Sequence, residues 1–141
     1  MKTFIFAAVA TLLLFSCKKK HTPTPVSAGL FGSWEVRRVY HGNILPPDST
    51  YKPGNRNILR LNADSTYIKY VNGIPSSNGV FHTRINLMSM TQMLNERIYF
   101  DNDTSHNYFV LHNGDKMTLT PLFPDIPTTD YQKVPDLNFE L

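Results

Sequence analysis

From Ser33 onward the chain alternates apolar and polar residues with a period of two, in short runs broken every six to twelve residues by Asn, Asp, Gly or Pro. A strand places successive side chains on opposite faces, so this alternation describes half-buried β-strands and leaves little room for helices. The predicted strands are Ser33–Tyr40, Asn57–Leu61, Thr66–Val71, Gly79–Leu87, Arg97–Phe100, Tyr108–His112, Lys116–Pro121 and Tyr131–Val134. They are rich in the β-branched and aromatic residues that suit a pleated surface.

The breaks have their own chemistry. Asn62-Ala63-Asp64-Ser65, the stretch from Asn72 to Gly79, and His112-Asn113-Gly114-Asp115 supply residues that tolerate left-handed backbone or bond their own main chain. Such short connections join antiparallel neighbours. Pro46-Pro47 and the group Pro121, Pro124 and Pro127 mark two longer loops, and a short helical turn near Ala28–Phe31 is expected to plug one end of the sheet. Met88 to Leu94 is the one segment with an ambiguous period.

Eight short antiparallel strands in sequence close into an up-and-down barrel, which removes exposed edges; a two-sheet sandwich is the competing architecture. The expected fold is therefore all-β, an eight-stranded antiparallel barrel. Alternate positions read inward are Val36, Leu59, Leu61, Ile68, Tyr70, Phe81, Ile85, Ile98, Phe100, Phe109, Leu111, Met117 and Leu119.

The chain ahead of the barrel has a different character. Met1-Lys2 is positive, Thr3 to Phe15 is apolar and uncharged, and Ser16 precedes Cys17, the single cysteine. This is the layout of a secretory leader. As a helix the apolar run would reach about 20 Å, short of a hydrocarbon core of about 30 Å. Lys18 to Gly29 (KKKHTPTPVSAG) has no apolar period and reads as a tether. The expected organisation is a leader over 1–16, Cys17 and a tether over 17–29, and one barrel domain over 30–141.

Leu14-Phe15-Ser16-Cys17 resembles the lipobox of bacterial lipoproteins. That resemblance implies cleavage before Cys17 and a covalent lipid on its sulfur, the lipid serving as membrane anchor. Each buried methylene contributes about 0.8 kcal/mol, and stable anchoring takes more than one chain. In some Gram-negative groups surface display of such lipoproteins goes with acidic residues after the cysteine; the tether here is basic, so the expected position is the outer membrane facing the periplasm, with surface exposure as the alternative.

Gly32-Ser33-Trp34 opens the first strand, and this Gly-x-Trp is similar to the first-strand signature of lipocalins. With "LNADSTYIKYVNG", "SNGVFHTRINL", "GDKMTLTP" and "YQKV" in that order, residues 30 to 134 resemble the lipocalin-like domains of small Gram-negative lipoproteins. The resemblance implies that Trp34 closes one end of the barrel and that Lys133 lies across its ring.

Charge and motifs narrow the function. The chain has 14 Lys+Arg and 11 Asp+Glu, net +3, but Lys2, Lys18, Lys19 and Lys20 all precede the domain. What remains is close to neutral, so the basic pI is no sign of nucleic-acid binding. No His pair has metal-ligand spacing, Asp101-Asn102-Asp103 lacks the rest of a calcium loop, and no Ser sits in G-x-S-x-G. An enzymatic role is not expected, and no metal or cofactor beyond the covalent lipid.

Two binding roles follow. In the first, a small hydrophobic or amphipathic ligand is buried in the barrel against Tyr70, Phe81, Phe109 and Met88; the group Met88, Met90 and Met93 reads as a core-packing connection or, alternatively, as an adaptable flap over the mouth. In the second, a filled barrel presents its outer face or loops 42–55 and 123–129 to an envelope protein. A hydrolase with a spatially assembled site is a third reading.

The lipobox reading is tested directly. Mass spectrometry of the protein extracted from membranes should find an N-terminus at Cys17 carrying acyl chains, and Cys17→Ser should leave the leader uncut and the protein without lipid. A free Cys17 thiol in the mature protein would overturn it.

Overall fold

The computed structural model describes residues 29–41, 47–87, 94–103, 107–123 and 125–136. Nine strands follow in order: β1 Gly32–Tyr40, β2 Ser49–Thr50, β3 Ile58–Leu61, β4 Thr66–Val71, β5 Ile74–Leu87, β6 Leu94–Phe100, β7 Asn107–Asn113, β8 Lys116–Pro121 and β9 Thr128–Val134. From β3 to β9 each strand pairs antiparallel with the next, and β9 returns to pair with β1, which in turn pairs with β3. The result is a closed eight-stranded up-and-down barrel. The two-residue β2 is an appendage, continuing the β3 edge of β1 through Arg38↔Thr50 and Val39↔Ser49.

Cross-strand register decides which side chains fill the interior. Trp34↔Leu59, Leu61↔Tyr67, Phe81↔Phe100, Val110↔Leu119 and Met117↔Tyr131 are directly opposed pairs of apolar or aromatic residues. Together with Leu30 and Ile98 they form one continuous core, with Tyr131 packed at its margin. Tyr67 meets Phe100 edge to face at 4.8 Å between centroids, and Phe100 meets Tyr108 at 5.9 Å. These are the spacings at which aromatic pairs attract beyond simple burial.

One end of the barrel is closed around Trp34. The chain enters through a 3-10 turn at Gly29-Leu30; Leu30 and Trp34 are wholly buried, and the indole N–H donates to the Leu30 carbonyl at 2.7 Å. Lys133, opposite Trp34 on β9, holds its ammonium 5.2 Å from the ring centroid. Gly32 has φ of +124°, and a Cβ there would stand 3.0 Å from Lys133 Cε. Glycine at this point thus permits both the backbone turn and the approach of the lysine stem.

Several expectations need correcting. The stretch from Asn72 to Gly79, read as a long turn, is a two-residue turn followed by strand: Asn72 and Gly73 have φ of 53° and 84°, and β5 starts at Ile74. Phe109 and Leu111 are not interior. Val110 belongs to the core, so its neighbours point outward; Arg97 lies 4.8 Å over the Phe109 ring, and Leu111 is 74% exposed. In β4 the phase is likewise reversed, with Tyr67 and Lys69 on the inner side and Ile68, opposite Arg60 and Asn78, on the outer. Tyr70 shares the outer phase although it is buried. Met88, Met90 and Met93 lie outside the described residues.

The register makes a stability prediction. Leu61→Ala, in the interior, should cost about 2–5 kcal/mol in urea unfolding, the usual range for a cavity left in a core. Leu111→Ala should change stability by no more than about 0.5 kcal/mol. Equal losses would mean that β7 has the opposite phase.

Candidate functional site

At the other end of the barrel, where β1 finishes, β3 begins and β4 finishes, an open cavity of about 310 Å³ remains. Val36 and Val39 of β1, Leu59 of β3, Lys69 of β4 and Tyr131 of β9 line it, and Tyr51, Ile58, Tyr70 and Val71 complete its wall. Its volume is at the lower end of the usual range for small-molecule sites, which begins at about 300 Å³. Val71 and Ile74, on the hairpin beside it, are exposed apolar residues.

Two β-bulges shape this end. In β1, Val36 opposes Tyr131 while Arg38 opposes Asp130, so Arg37 is an extra residue. Strict alternation would turn Val39 outward; the bulge turns it back beside Val36 on the cavity wall. In β5 the pairs Lys69↔Ser77 and Tyr70↔Pro75 leave Ser76 as the extra residue, and Ser76 also lines the cavity. Pro75 carries no N–H, which fits a position beside an interrupted ladder.

The wall is braced from outside by Glu35. This carboxylate is only 3% exposed and accepts the backbone N–H groups of Gly54 (3.1 Å) and Arg56 (3.0 Å) together with the Arg37 guanidinium. Burial pushes the Glu35 pKa up, but the donors of Arg37, Arg56 and Gly54 outweigh burial and hold it below the ordinary glutamate value. The loop 51–57, which carries Tyr51 to the cavity, is therefore clamped to β1 through a charged acceptor.

Below the cavity the barrel contains a lysine. Lys69 opposes Leu59 and Ser77, and its ammonium lies 4.7 Å from the Phe100 ring centroid and 5.5 Å from that of Tyr67. Burial lowers its pKa from the ordinary lysine value, and the negative charge of Asp101 opposes that shift. Asp101 itself is engaged elsewhere: its carboxylate accepts the Tyr67 hydroxyl at 2.5 Å and the Val80 N–H at 3.1 Å. A Cβ on Gly79 would fall 1.7 Å from the same carboxylate, so only glycine admits it. Burial first, and then Asp101 as acceptor and as charge, raise the Tyr67 phenol to about 12.

The residues singled out from sequence divide accordingly. Tyr70 lines the cavity; Phe81 is packed in the core; Phe109 is on the outer face; Met88, like Cys17, is outside the described residues. Gly32, Trp34 and Lys133 come together at the closed end, away from the cavity. Lys69, Tyr131, Val39 and Glu35 went unmarked. Among the described residues no three His, Cys, Asp or Glu side chains converge as a metal site would require. Comparison of the chain with protein-family models, with curated proteins and with solved structures returns no match.

The Glu35 clamp has a definite pH sign. A carboxyl whose folded pKa is depressed stabilises the fold fully above its unfolded value, about 4.3, and loses that contribution as pH falls through the folded value. Protection of the Gly54 and Arg56 amides, taken relative to the intrinsic exchange rate at each pH, should therefore fall in acid, and Glu35→Ala should lower it at neutral pH as well. Unchanged protection in the variant would show that loop 51–57 is held by other contacts.

Proposed function

We propose that this chain is a lipocalin-like lipoprotein, anchored in the cell envelope through Cys17, that takes a small hydrophobic or amphipathic molecule into the open end of its barrel. The observation that carries this reading is the contrast between the two ends. One is filled by Leu30 and Trp34, and the other keeps a cavity of about 310 Å³ with mainly apolar walls. The neighbouring exposed Val71 and Ile74 suit a ligand whose apolar part extends beyond the mouth.

The leader, the lipobox-like Leu14–Cys17 and the tether support the envelope placement.

Magnitudes limit what apolar burial alone can do. A ligand burying roughly 300 Å² of apolar surface gains about 7.5 kcal/mol at 25 cal/mol/Å². Association costs at least about 4 kcal/mol in lost freedom. The surplus, about 3.5 kcal/mol, corresponds to millimolar binding. A functional affinity requires an added polar contact or a larger apolar contact at the rim.

Native mass spectrometry of the protein released gently from envelope membranes tests the reading. A small molecule should remain bound, and its return to stripped protein should raise the melting temperature. A ligand-free mass, with no thermal shift from a panel of lipid-like molecules, would count against it.

A further inference from the structure

We infer that the molecule taken up at the open end is an amphipathic anion, its acidic head paired with Lys69 and its apolar part lying against Val36, Val39 and Tyr131. This rests on the reading of that end as a small-molecule site and adds the charge of the ligand to it.

Lys69 is an unusual residue to find inside a barrel of this size. Its register partners Leu59 and Ser77 fix it on the inner side, and its stem lines the cavity. Its ammonium rests on the Phe100 and Tyr67 ring faces. The charge acting on it is that of Asp101, but Tyr67 O–H and Val80 N–H already hold the Asp101 carboxylate. The ion pairs of the described residues, Arg37–Glu35 and Arg38–Asp48, lie elsewhere.

A ligand entering the cavity removes water from above Lys69, and its charge then decides the outcome. A neutral guest desolvates the ammonium without replacing the lost hydrogen bonds, which is unfavourable. A cationic guest adds repulsion. An anionic head gives the ammonium a partner where the dielectric is low and the pair is strong. The four-carbon stem is flexible, so a change of rotamer suffices to lift the ammonium from the rings toward the head. Tyr131, whose phenol is held neutral by burial, stands in the same cavity and adds no competing charge.

The mature chain from residue 17, produced without the leader and carrying Cys17→Ser so that it cannot be acylated and needs no detergent, serves for the test. Its affinities for decanoate, decanol and decyltrimethylammonium are measured by titration calorimetry, the two ions below their micelle concentrations and decanol below its solubility limit. Decanoate should bind about tenfold or more tightly than decanol, as one partly buried charge pair provides, and the cation should bind no better than decanol. Lys69→Met should abolish the preference, weakening decanoate and binding decanol at least as well as the parent chain does. Equal affinities for decanoate and decanol, or a preference that survives Lys69→Met, would overturn the inference while leaving the small-molecule reading intact. If none of the three probes binds, the small-molecule reading falls with it. Should Lys69→Met fail to fold, the ranking of the three probes on the parent chain decides alone.

Discussion

The pairing of β9 with β1 is the contact on which the rest of the molecule depends. It spans Gly32's neighbour Ser33 to Tyr40 on one side and Thr128 to Val134 on the other, and it turns an open sheet into a barrel. Without it both strands would expose unpaired backbone groups, an invitation to edge-to-edge association. With it, each inner face looks onto the others, and a short chain obtains a core without disulfides. The same ladder also sets up the two ends. Near its start Trp34 and Lys133 are opposed and seal the interior, and further along the extra residue Arg37 bends β1 and opens it. Closure and cavity are thus features of one strand pair, a few residues apart.

Two carboxylates, the buried Glu35 and the exposed Asp101, perform similar work. Glu35 gathers backbone N–H groups from loop 51–57, and Asp101 gathers Val80 N–H and the Tyr67 hydroxyl at the β6 end. A carboxylate can accept several donors at once, so each ties a connection to the barrel wall more firmly than neutral contacts would. The arrangement around Asp101 also keeps its charge from pairing directly with Lys69. The lysine is close enough to feel that charge and still retains donors for another partner.

Much of the fold was legible because the strands are short and their turns are chemically marked. β4 and β8 have the bounds read from sequence, and most others differ by one to three residues at an end. Two kinds of feature were hidden. The first half of β5, Ile74 to Asn78, is polar and Pro-containing, so it looked like a loop; Asn72-Gly73 alone makes the turn, and the strand shows its side chains mostly to solvent. The phase of β7 was ambiguous because Tyr108, Phe109, Val110 and Leu111 are all apolar or aromatic, and a two-residue period has no preferred origin in such a run. The bulges at Arg37 and Ser76, which make the cavity, leave no mark in the alternation that one sequence could separate from noise.

β4 is the most instructive case. In Thr-Tyr-Ile-Lys-Tyr-Val, hydrophobic patterning alone places Ile68 and Tyr70 inside and leaves Lys69 to solvent, and the structure adopts the opposite phase. The neighbours dictate it. Leu59 and Leu61 on β3 must both enter the core, and their partners are Lys69 and Tyr67; on the other side Tyr67 reaches Asp101 across Gly79, the one residue small enough to let it pass. Moving β4 by one residue would return Lys69 to water at the cost of all these contacts. The chain instead accepts a lysine inside, over two ring faces. Local rules broken against the apparent interest of stability tend to mark functional positions, and here the broken rule sits directly beneath the cavity.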